Sequence, residues 1–165
     1  MTLSEQDPAP AARWENYQQP LQLILQTFYT VSDKPEDFWT PASQYFERQT
    51  FVAGDLVYNV GEPARGFYIL ESGMLKARYD LPQGKYSELI VAGTTCGELP
   101  FFSSTKRTST TCAERETVTW KLTEERWKDM QGERPAIAQE LLKISLKLTS
   151  ERMDSVTRYM LLTSG

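Results

Sequence analysis

Two short segments carry residue types that bind a small anion. One is Gly97-Glu98-Leu99, and the other is Arg107-Thr108, whose arginine lies nine positions after Glu98. A glycine turn that leads into a short helix leaves backbone N–H groups free, and their dipoles attract an anion. An arginine adds a planar pair of donors that suits a phosphate. We therefore predict that Glu98 and Arg107 converge on an anion from opposite ends of one loop.

Short strands must position this loop. Turn signals fall roughly every 8 to 12 residues, the spacing of a small sandwich or jelly roll. They are Ala53-Gly54-Asp55, Asn59 to Pro63, Ser72-Gly73 and Pro82-Gln83-Gly84. We predict that the roll begins near Thr50 and that its last strand is Glu116 to Leu122. Phe67 to Glu71 and Met74 to Asp80 are predicted to form one hairpin within it.

Helical patterns flank the strands. Pro20 suits a first helical position, and apolar residues follow at helical spacing: Leu21, Ile24, Leu25 and Phe28. A second short helical stretch covers Pro35 to Phe46. After the last strand, Thr123 can cap a helix that Gly132 ends, and Pro135 begins a long helix.

The long helix has more apolar surface than one contact needs. One stripe is Ile137, Leu141, Ile144 and Leu148, and a second is Leu142, Leu146, Met153, Val156 and Met160. In one interpretation the whole helix packs against the roll. In the other, the second stripe meets a partner helix or closes as a lid over a pocket. Either a homodimer contact or a lid would use this surface.

Length and composition limit the architecture. The 165 residues suffice for one domain with one core. Residues 1–19 are polar and proline-punctuated, which predicts a flexible linker, and residues 20–165 are predicted to be the domain. No apolar run approaches the length of a membrane span. The chain is expected to leave no room for a DNA-reading module after the long helix.

Several functional classes are disfavoured by residue types. The chain has no histidine, so histidine-based acid-base catalysis is excluded and a metal site is improbable. Cys96 and Cys112 are the candidate nucleophiles of an enzyme, but no histidine can activate them. The net charge of −4 argues against a nucleic-acid partner. The prediction is a non-catalytic protein without a metal.

The loop and two earlier segments resemble the cyclic nucleotide-binding domain family. Val52 to Tyr58 resembles the family's opening strands, Gly61 to Gly73 its central hairpin, and Gly97-Glu98-Leu99 with Arg107 its phosphate-binding cassette. The resemblance covers roughly residues 36 to 160. It implies an α+β fold: a β-roll (a jelly roll of about eight strands), with N-terminal helices and a long C-terminal helix.

The resemblance also implies a ligand, cAMP or cGMP, and no other cofactor. Arg107 would pair with the cyclic phosphate, Glu98 would accept the ribose 2′-hydroxyl, and Gly97 and Leu99 would complete the cassette. Thr108 resembles cassettes that accept cGMP, although it is equally explained as a strand threonine. Tyr159, the only ring on the long helix, is the candidate to cover the base.

Pro100 departs from the family pattern. It stands where such cassettes usually have a small residue whose N–H helps to hold the phosphate, and proline has no N–H. The loss of that hydrogen bond to a charged group is expected to weaken binding by about 1.5 to 3 kcal/mol. Proline also suits a position near a helix start, so a turn without any ligand explains it as well.

Within this family, the chain most resembles the cytoplasmic C-terminal domains of fungal SulP (sulfate permease-type) transporters. The segments that carry this resemblance are Leu21 to Tyr29, Asp37-Phe38-Trp39, Ala92 to Phe102, Gln139 to Leu142 and Ser150 to Met153. This resemblance implies a regulatory domain at the cytoplasmic face of a membrane, with the rest of the transporter as its partner. The alternative is a ligand-free structural or assembly module, in which Arg107 pairs internally with Glu98 or another acid.

Overall fold

The computed structural model describes residues 32–163. The linker predicted for residues 1–19, the domain start at residue 20 and the helix predicted from Pro20 lie outside these residues. The helices are α1 (Glu36–Trp39), a 3-10 helix (Thr40–Tyr45), α2 (Glu98–Phe102), α3 (Glu124–Glu133) and α4 (Pro135–Thr163). The strands are β1 (Glu47–Phe51), β2 (Leu56–Tyr58), β3 (Gly66–Ser72), β4 (Met74–Leu81), β5 (Gly84–Val91), β6 (Thr95–Cys96), β7 (Thr110–Ala113) and β8 (Thr117–Thr123).

The strands form two four-stranded antiparallel sheets, with orders β1-β8-β3-β6 and β2-β7-β4-β5. Buried side chains between the sheets make one core cluster, which includes Tyr58, Leu70 and Leu75. A second cluster joins the β1-β8-β3-β6 sheet to the helices and includes Trp39 and Leu141. The eight-strand roll, the helix before it and the long helix after it confirm the predicted fold class.

The predicted hairpin of Phe67 to Glu71 with Met74 to Asp80 is wrong. Strands β3 and β4 follow each other in the chain but belong to different sheets, and β4 instead forms a hairpin with β5. Gly73, at φ +90°, turns the chain from one sheet to the other. A Cβ at this position would overlap Glu116 and Thr117, so only glycine fits the corner. A Ser-Gly pair marks a turn but does not specify whether the strands on either side pair.

The helices after the roll begin where the sequence predicts. The Thr123 hydroxyl accepts a hydrogen bond from the Arg126 N–H at 3.2 Å, and α3 runs one residue beyond Gly132 to Glu133. Helix α4 begins at Pro135, and its first apolar stripe packs against the rest of the domain, with Leu141 only 2% exposed. Most of the second stripe is exposed, with Leu146 at 56%.

In the described part of the chain, none of the helices has both the length and the hydropathy of a membrane span.

Candidate ligand-binding site

The loop between β6 and β7 begins with a tight glycine turn. Gly97 has φ +76° and precedes α2, whose first residue is Glu98. A Cβ on Gly97 would overlap Nη1 of Arg107, so this position requires glycine for its backbone angle and for the close approach. Pro100 is the third residue of α2 and is buried. One of the free N–H groups expected at this helix start is therefore missing.

Arg107 returns to the same turn from the other end of the loop. Its side chain is buried, Nη1 donates to the Gly97 carbonyl at 2.8 Å, and Nη2 donates to the Gly66 carbonyl. The guanidinium carbon lies 4.1 Å from the centre of the Tyr58 ring. Arg107 does not form the ion pair with Glu98 that the assembly-module alternative suggests. Its guanidinium donates to backbone carbonyls instead. A guanidinium has five N–H donors, and these two bonds leave others available.

Glu98 is 1% exposed and has partners on one oxygen only. Its Oε1 accepts hydrogen bonds from Thr149 Oγ1 at 2.9 Å and from Arg152 Nη2 at 2.6 Å, both from α4. Its Oε2 is buried without a hydrogen-bond partner. A buried carboxylate oxygen without a donor is costly, so this atom marks a place where a ligand hydroxyl would gain a strong acceptor.

Arg152 connects α4 to three other elements. In addition to its hydrogen bond to Glu98, Arg152 donates from Nη1 to the Thr95 carbonyl at 2.8 Å. Its Nε lies 3.8 Å from Glu88 Oε1. Burial acts to lower the pKa of Arg152, but the carboxylates of Glu98 and Glu88 outweigh it and the net shift is upward. Arg152 therefore stays charged in this position.

All five cassette residues predicted from the sequence line one cavity of about 60 Å³. We call it the cassette cavity; the five are Gly97, Glu98, Leu99, Arg107 and Thr108. Thr108 is exposed and lies in a bend before β7, so it is not the strand threonine of the alternative interpretation. Other parts of its wall come from Tyr58, Tyr79, Glu88 and Arg152.

A second cavity of about 300 Å³ adjoins the first between the β4–β5 hairpin and α4, and we call it the apolar cavity. Both cavities are lined by Tyr79, Glu88, Leu99 and Arg152. Met153, Val156 and Met160 of the second apolar stripe form the helical wall of the apolar cavity. A larger cavity of about 380 Å³ is lined by α2, α3 and the turn before β3 and contains none of the predicted site residues.

The structure does not bring Tyr159 to either cavity. Tyr159 is 63% exposed and absent from both linings, whereas Val156 and Met160 line the apolar cavity. The reason is helical geometry: Tyr159 directly precedes Met160, and successive residues of an α-helix point about 100° apart. The aromatic rings that line the apolar cavity are Tyr79 and Tyr86 of the roll.

Sequence reasoning missed the residues that contact Glu98 from α4. Thr149 and Arg152 lie 51 and 54 residues from Glu98 in the chain, so no local pattern links them to it. One signal was present. The first apolar stripe continues by four residues from Leu148 to position 152, and an arginine on a buried helical face requires an acidic partner.

The Cys96 thiol lies beside the site, in surroundings that keep it protonated. Cys96 is buried in β6, and its Sγ lies 3.2 Å from the Tyr58 hydroxyl. Burial raises the pKa of the Cys96 thiol to about 12. A nucleophilic cysteine needs a lowered pKa, so this thiol is placed for packing. Within residues 32–163 the acidic and sulfur side chains form no cluster that could hold a metal ion.

Comparison with known proteins identifies the family of this fold. The family model of the cyclic nucleotide-binding domain matches residues 48–133, more than half of the chain. The chain belongs to the cyclic nucleotide-binding domain family. The matched range contains the whole cassette, from Gly97 to Thr108.

A curated relative comes from yeast. The vacuolar basic amino acid transporter VSB1 of Saccharomyces cerevisiae is 32% identical over 76 residues, which is 46% of this chain and 7% of that protein. The chain thus spans only a small part of the length of this relative.

Solved structures share the fold. A cyclic nucleotide-binding domain from Methylobacillus flagellatus superposes with a TM-score of 0.80 at 16% identity, covering 90% of this chain and 84% of that one. The regulatory subunit of a cAMP-independent protein kinase A from Trypanosoma cruzi, bound to guanosine, has a TM-score of 0.70 at 16% identity. That match covers 96% of this chain and 53% of the subunit. At these identities the likeness shows the fold alone.

Proposed function

We propose that this domain binds a cyclic nucleotide, cAMP or cGMP, through the cassette cavity and has no catalytic activity of its own. The observation that carries the proposal is the unpartnered Oε2 of Glu98, buried in a site that Arg107 also lines. A ribose hydroxyl would supply the missing donor to Glu98. The N–H groups of Arg107 not used by Gly97 and Gly66 would meet the cyclic phosphate.

The way Arg107 is held supports this role. Two carbonyls and the Tyr58 ring fix the guanidinium before any ligand arrives. A fixed donor loses little freedom on binding, so more of the interaction energy contributes to affinity. Thr108 at the rim is the residue that would favour guanine over adenine.

We propose further that the domain regulates a membrane transporter of the SulP type from its cytoplasmic face. The sequence resemblance to fungal SulP domains supports this, and so does the similarity of part of the chain to a yeast vacuolar transporter. The remainder of the transporter would be the partner. Exposed apolar side chains at the end of α4, Leu161 at 73% and Leu162 at 84%, are the surface we assign to that partner or to a second copy.

A second candidate function is a ligand-free assembly module of the same fold. Three observations favour it: the small volume of the cassette cavity, the carbonyl partners of Arg107, and the missing N–H at Pro100. In that case the cassette would be a structural turn, and Glu98 would serve only to hold α4.

Thermal unfolding with and without nucleotide separates these functions. Ligand at about 100 times its dissociation constant stabilises by about 2.7 kcal/mol, which raises the midpoint by several degrees. We expect this shift with cAMP or cGMP, and we expect Arg107→Lys to lose most of it because an ammonium lacks the planar pair of donors. Arg115→Ala, at an exposed arginine outside the site, should keep the full shift.

Each protein is compared with its own ligand-free midpoint, because Arg107 also supports the fold. A rise in midpoint that Arg107→Lys retains in full would place the ligand elsewhere. No rise at millimolar nucleotide would refute nucleotide binding and leave the assembly module.

A further inference from the structure

One cavity of the domain has the volume of a ligand site but lies away from the cassette. It is the cavity of about 380 Å³ between α2, α3 and the turn before β3, and we call it the aromatic cavity. Sites for organic ligands usually measure about 300 to 1,000 Å³, whereas the cassette cavity measures about 60 Å³. Neither a cassette residue nor a residue of α4 lines the aromatic cavity. The chemistry of an occupant therefore follows from a different set of side chains.

One wall of the aromatic cavity is a cluster of rings. Phe101 and Phe102 of α2 and Trp127 of α3 all line it. The ring centroids of Phe102 and Trp127 lie 5.2 Å apart at 75°, and Phe102 also lies 5.2 Å from Phe67 of β3. Because the rings hold one another in place, the wall is formed before a ligand arrives. Phe102 and Trp127 are half-buried, so part of their flat apolar surface stays accessible.

The backbone around the cavity is fixed as well. The Ala64 N–H donates to the Thr105 carbonyl at 3.4 Å, and the Arg65 carbonyl accepts from the Glu124 N–H at 2.9 Å. These bonds join the turn before β3 to the loop after α2 and to the start of α3. Since they are backbone bonds, the shape of the cavity does not depend on the side chain of Arg65.

The polar side chains at the rim are mainly donors. Arg65 is exposed, and its guanidinium forms no hydrogen bond or ion pair with any side chain or carbonyl of residues 32–163. The indole N–H of Trp127 has no hydrogen bond within the same residues. Lys128 lies 3.7 Å from Glu124, which is the acid among the lining residues. Two cations and one acid make this lining locally positive, although the chain carries a net charge of −4.

We propose that the aromatic cavity is a ligand site, separate from the cassette, for a small organic anion with a flat aromatic body, such as an aromatic carboxylate. The flat body would pack against Phe102 and Trp127, which removes apolar surface from water. The carboxylate would accept hydrogen bonds from Arg65, whose planar donors match its two oxygens. The site does not depend on nucleotide binding, because the two cavities share no lining residue.

The first test locates the ligand with 2-naphthoate, an aromatic carboxylate, as the probe. It is titrated into the whole isotope-labelled chain, and NMR follows the indole N–H signals of its four tryptophans. Trp127→Phe identifies the Trp127 signal by its loss. We expect this signal and the backbone signals of Ser104 and Thr105 to shift, with a dissociation constant of about 1 mM or tighter.

Two results of this titration would overturn the site. One is the absence of any shift at millimolar probe. The other is a set of shifts at Tyr79 and Leu81 with none at Trp127, because the probe would then occupy the apolar cavity.

The second test asks whether the anion is recognised by Arg65. We expect Arg65→Gln to bind 2-naphthoate about tenfold more weakly, because a charged pair of hydrogen bonds is lost. Arg78→Gln removes an exposed arginine outside the cavity and is the matched control, which should bind like the wild type. Equal affinity in Arg65→Gln and the wild type would overturn the assignment of an anion.

The neutral analogue 2-naphthamide tests the charge from the side of the ligand. It has the same aromatic body, so we expect the wild type to bind it about tenfold more weakly than 2-naphthoate. Arg65→Gln should discriminate less between the two compounds. Equal binding of both compounds by the wild type would show that only apolar packing holds the probe and would overturn the proposal. Thermal unfolding of each variant checks that the domain is still folded.

Discussion

At the scale of single residues, Glu98 is the most unusual group in the domain. Its carboxylate is almost fully buried, one oxygen has two donors from α4, and the other has none. A purely structural acid would be expected to satisfy both oxygens, because an unpaired buried acceptor loses its hydration without replacement. The unsatisfied atom is therefore the observation that supports the nucleotide proposed for this site.

Gly97 permits the close packing of Arg107 against the turn. We predict that Gly97→Ala lowers stability by about 1 to 2 kcal/mol for its left-handed backbone, plus the cost of displacing Arg107. Gly61→Ala is the matched control, since Gly61 has φ +85° and open space where a Cβ would lie. Urea unfolding of both proteins isolates the contribution of Arg107. Equal losses in the two variants would show that the Arg107 contact contributes nothing.

At the scale of elements, the short helix α2 combines a favourable start with a missing donor. Glu98 suits the first turn, whereas Pro100 removes one of the N–H groups that would point toward an anion. The helix is buried on the side of Phe101, so its position is set by the core. For the proposed nucleotide, we therefore expect a lower affinity than a cassette with all its N–H groups would give.

We predict that Pro100→Ala tightens nucleotide binding by about tenfold, because it restores an N–H group to the free end of α2. Some stability should be lost, because Pro100 is buried and alanine is smaller. Pro135→Ala, at the exposed first residue of α4, is the control and should leave affinity unchanged. Calorimetric titration measures both. No gain in affinity with Pro100→Ala would mean that the phosphate does not approach this helix end.

Helix α4 is held differently along its length. Its first half is a core element, with Ile137, Leu141 and Ile144 each at most 5% exposed. Its second half is attached through polar contacts of Thr149 and Arg152 and is otherwise mostly exposed.

At the scale of the whole molecule, two clusters of buried side chains hold the roll together. One lies between the sheets, and the other joins a sheet to α1, α3 and α4. Most buried side chains of these two clusters lie outside the lining of the cassette cavity. Fold and ligand response can then be tested separately.

Global stability should fall in mildly alkaline solution because of Cys96. Burial raises the pKa of the folded thiol to about 12 from an ordinary value of 9.0, so between these values only the unfolded chain loses the proton. Stability is then full below about pH 9 and falls as the pH rises. From pH 8 to 9.5 we expect the wild type to lose about 1 kcal/mol more than Cys96→Ala. Burial is the largest cause of the raised pKa values of Tyr58, Tyr68 and Tyr79, and Cys96 is a smaller one, so the tyrosines should contribute almost equally in the two proteins over this pH range.

Urea unfolding at the two pH values measures this loss, with Cys112→Ala as the control. Cys112→Ala retains Cys96, so it should lose as much stability as the wild type. An equal loss in Cys96→Ala and the wild type would contradict the assigned burial of the thiol.

Much of this fold could be predicted because its signals are local. Turn residues predicted the spacing of the strands, and a cap, a first-turn proline and helical periodicity predicted α3 and α4. The pairing of the strands was harder to predict from the sequence. Gly73 marks a turn in the sequence, but whether the chain forms a hairpin or changes sheets there depends on β8, far away in the chain.

The sequence by itself determined the cassette, since Gly97, Glu98 and Arg107 belong to one loop whose residue types suit an anion and a hydroxyl. Only the tertiary structure decided what those residues contact. Arg107 bonds to carbonyls of Gly97 and Gly66, and Glu98 pairs with Arg152, 54 residues away. The physical reason is that local conformation follows from neighbouring residues, whereas the pairing of buried charges is settled when distant elements pack and each charge must find a partner.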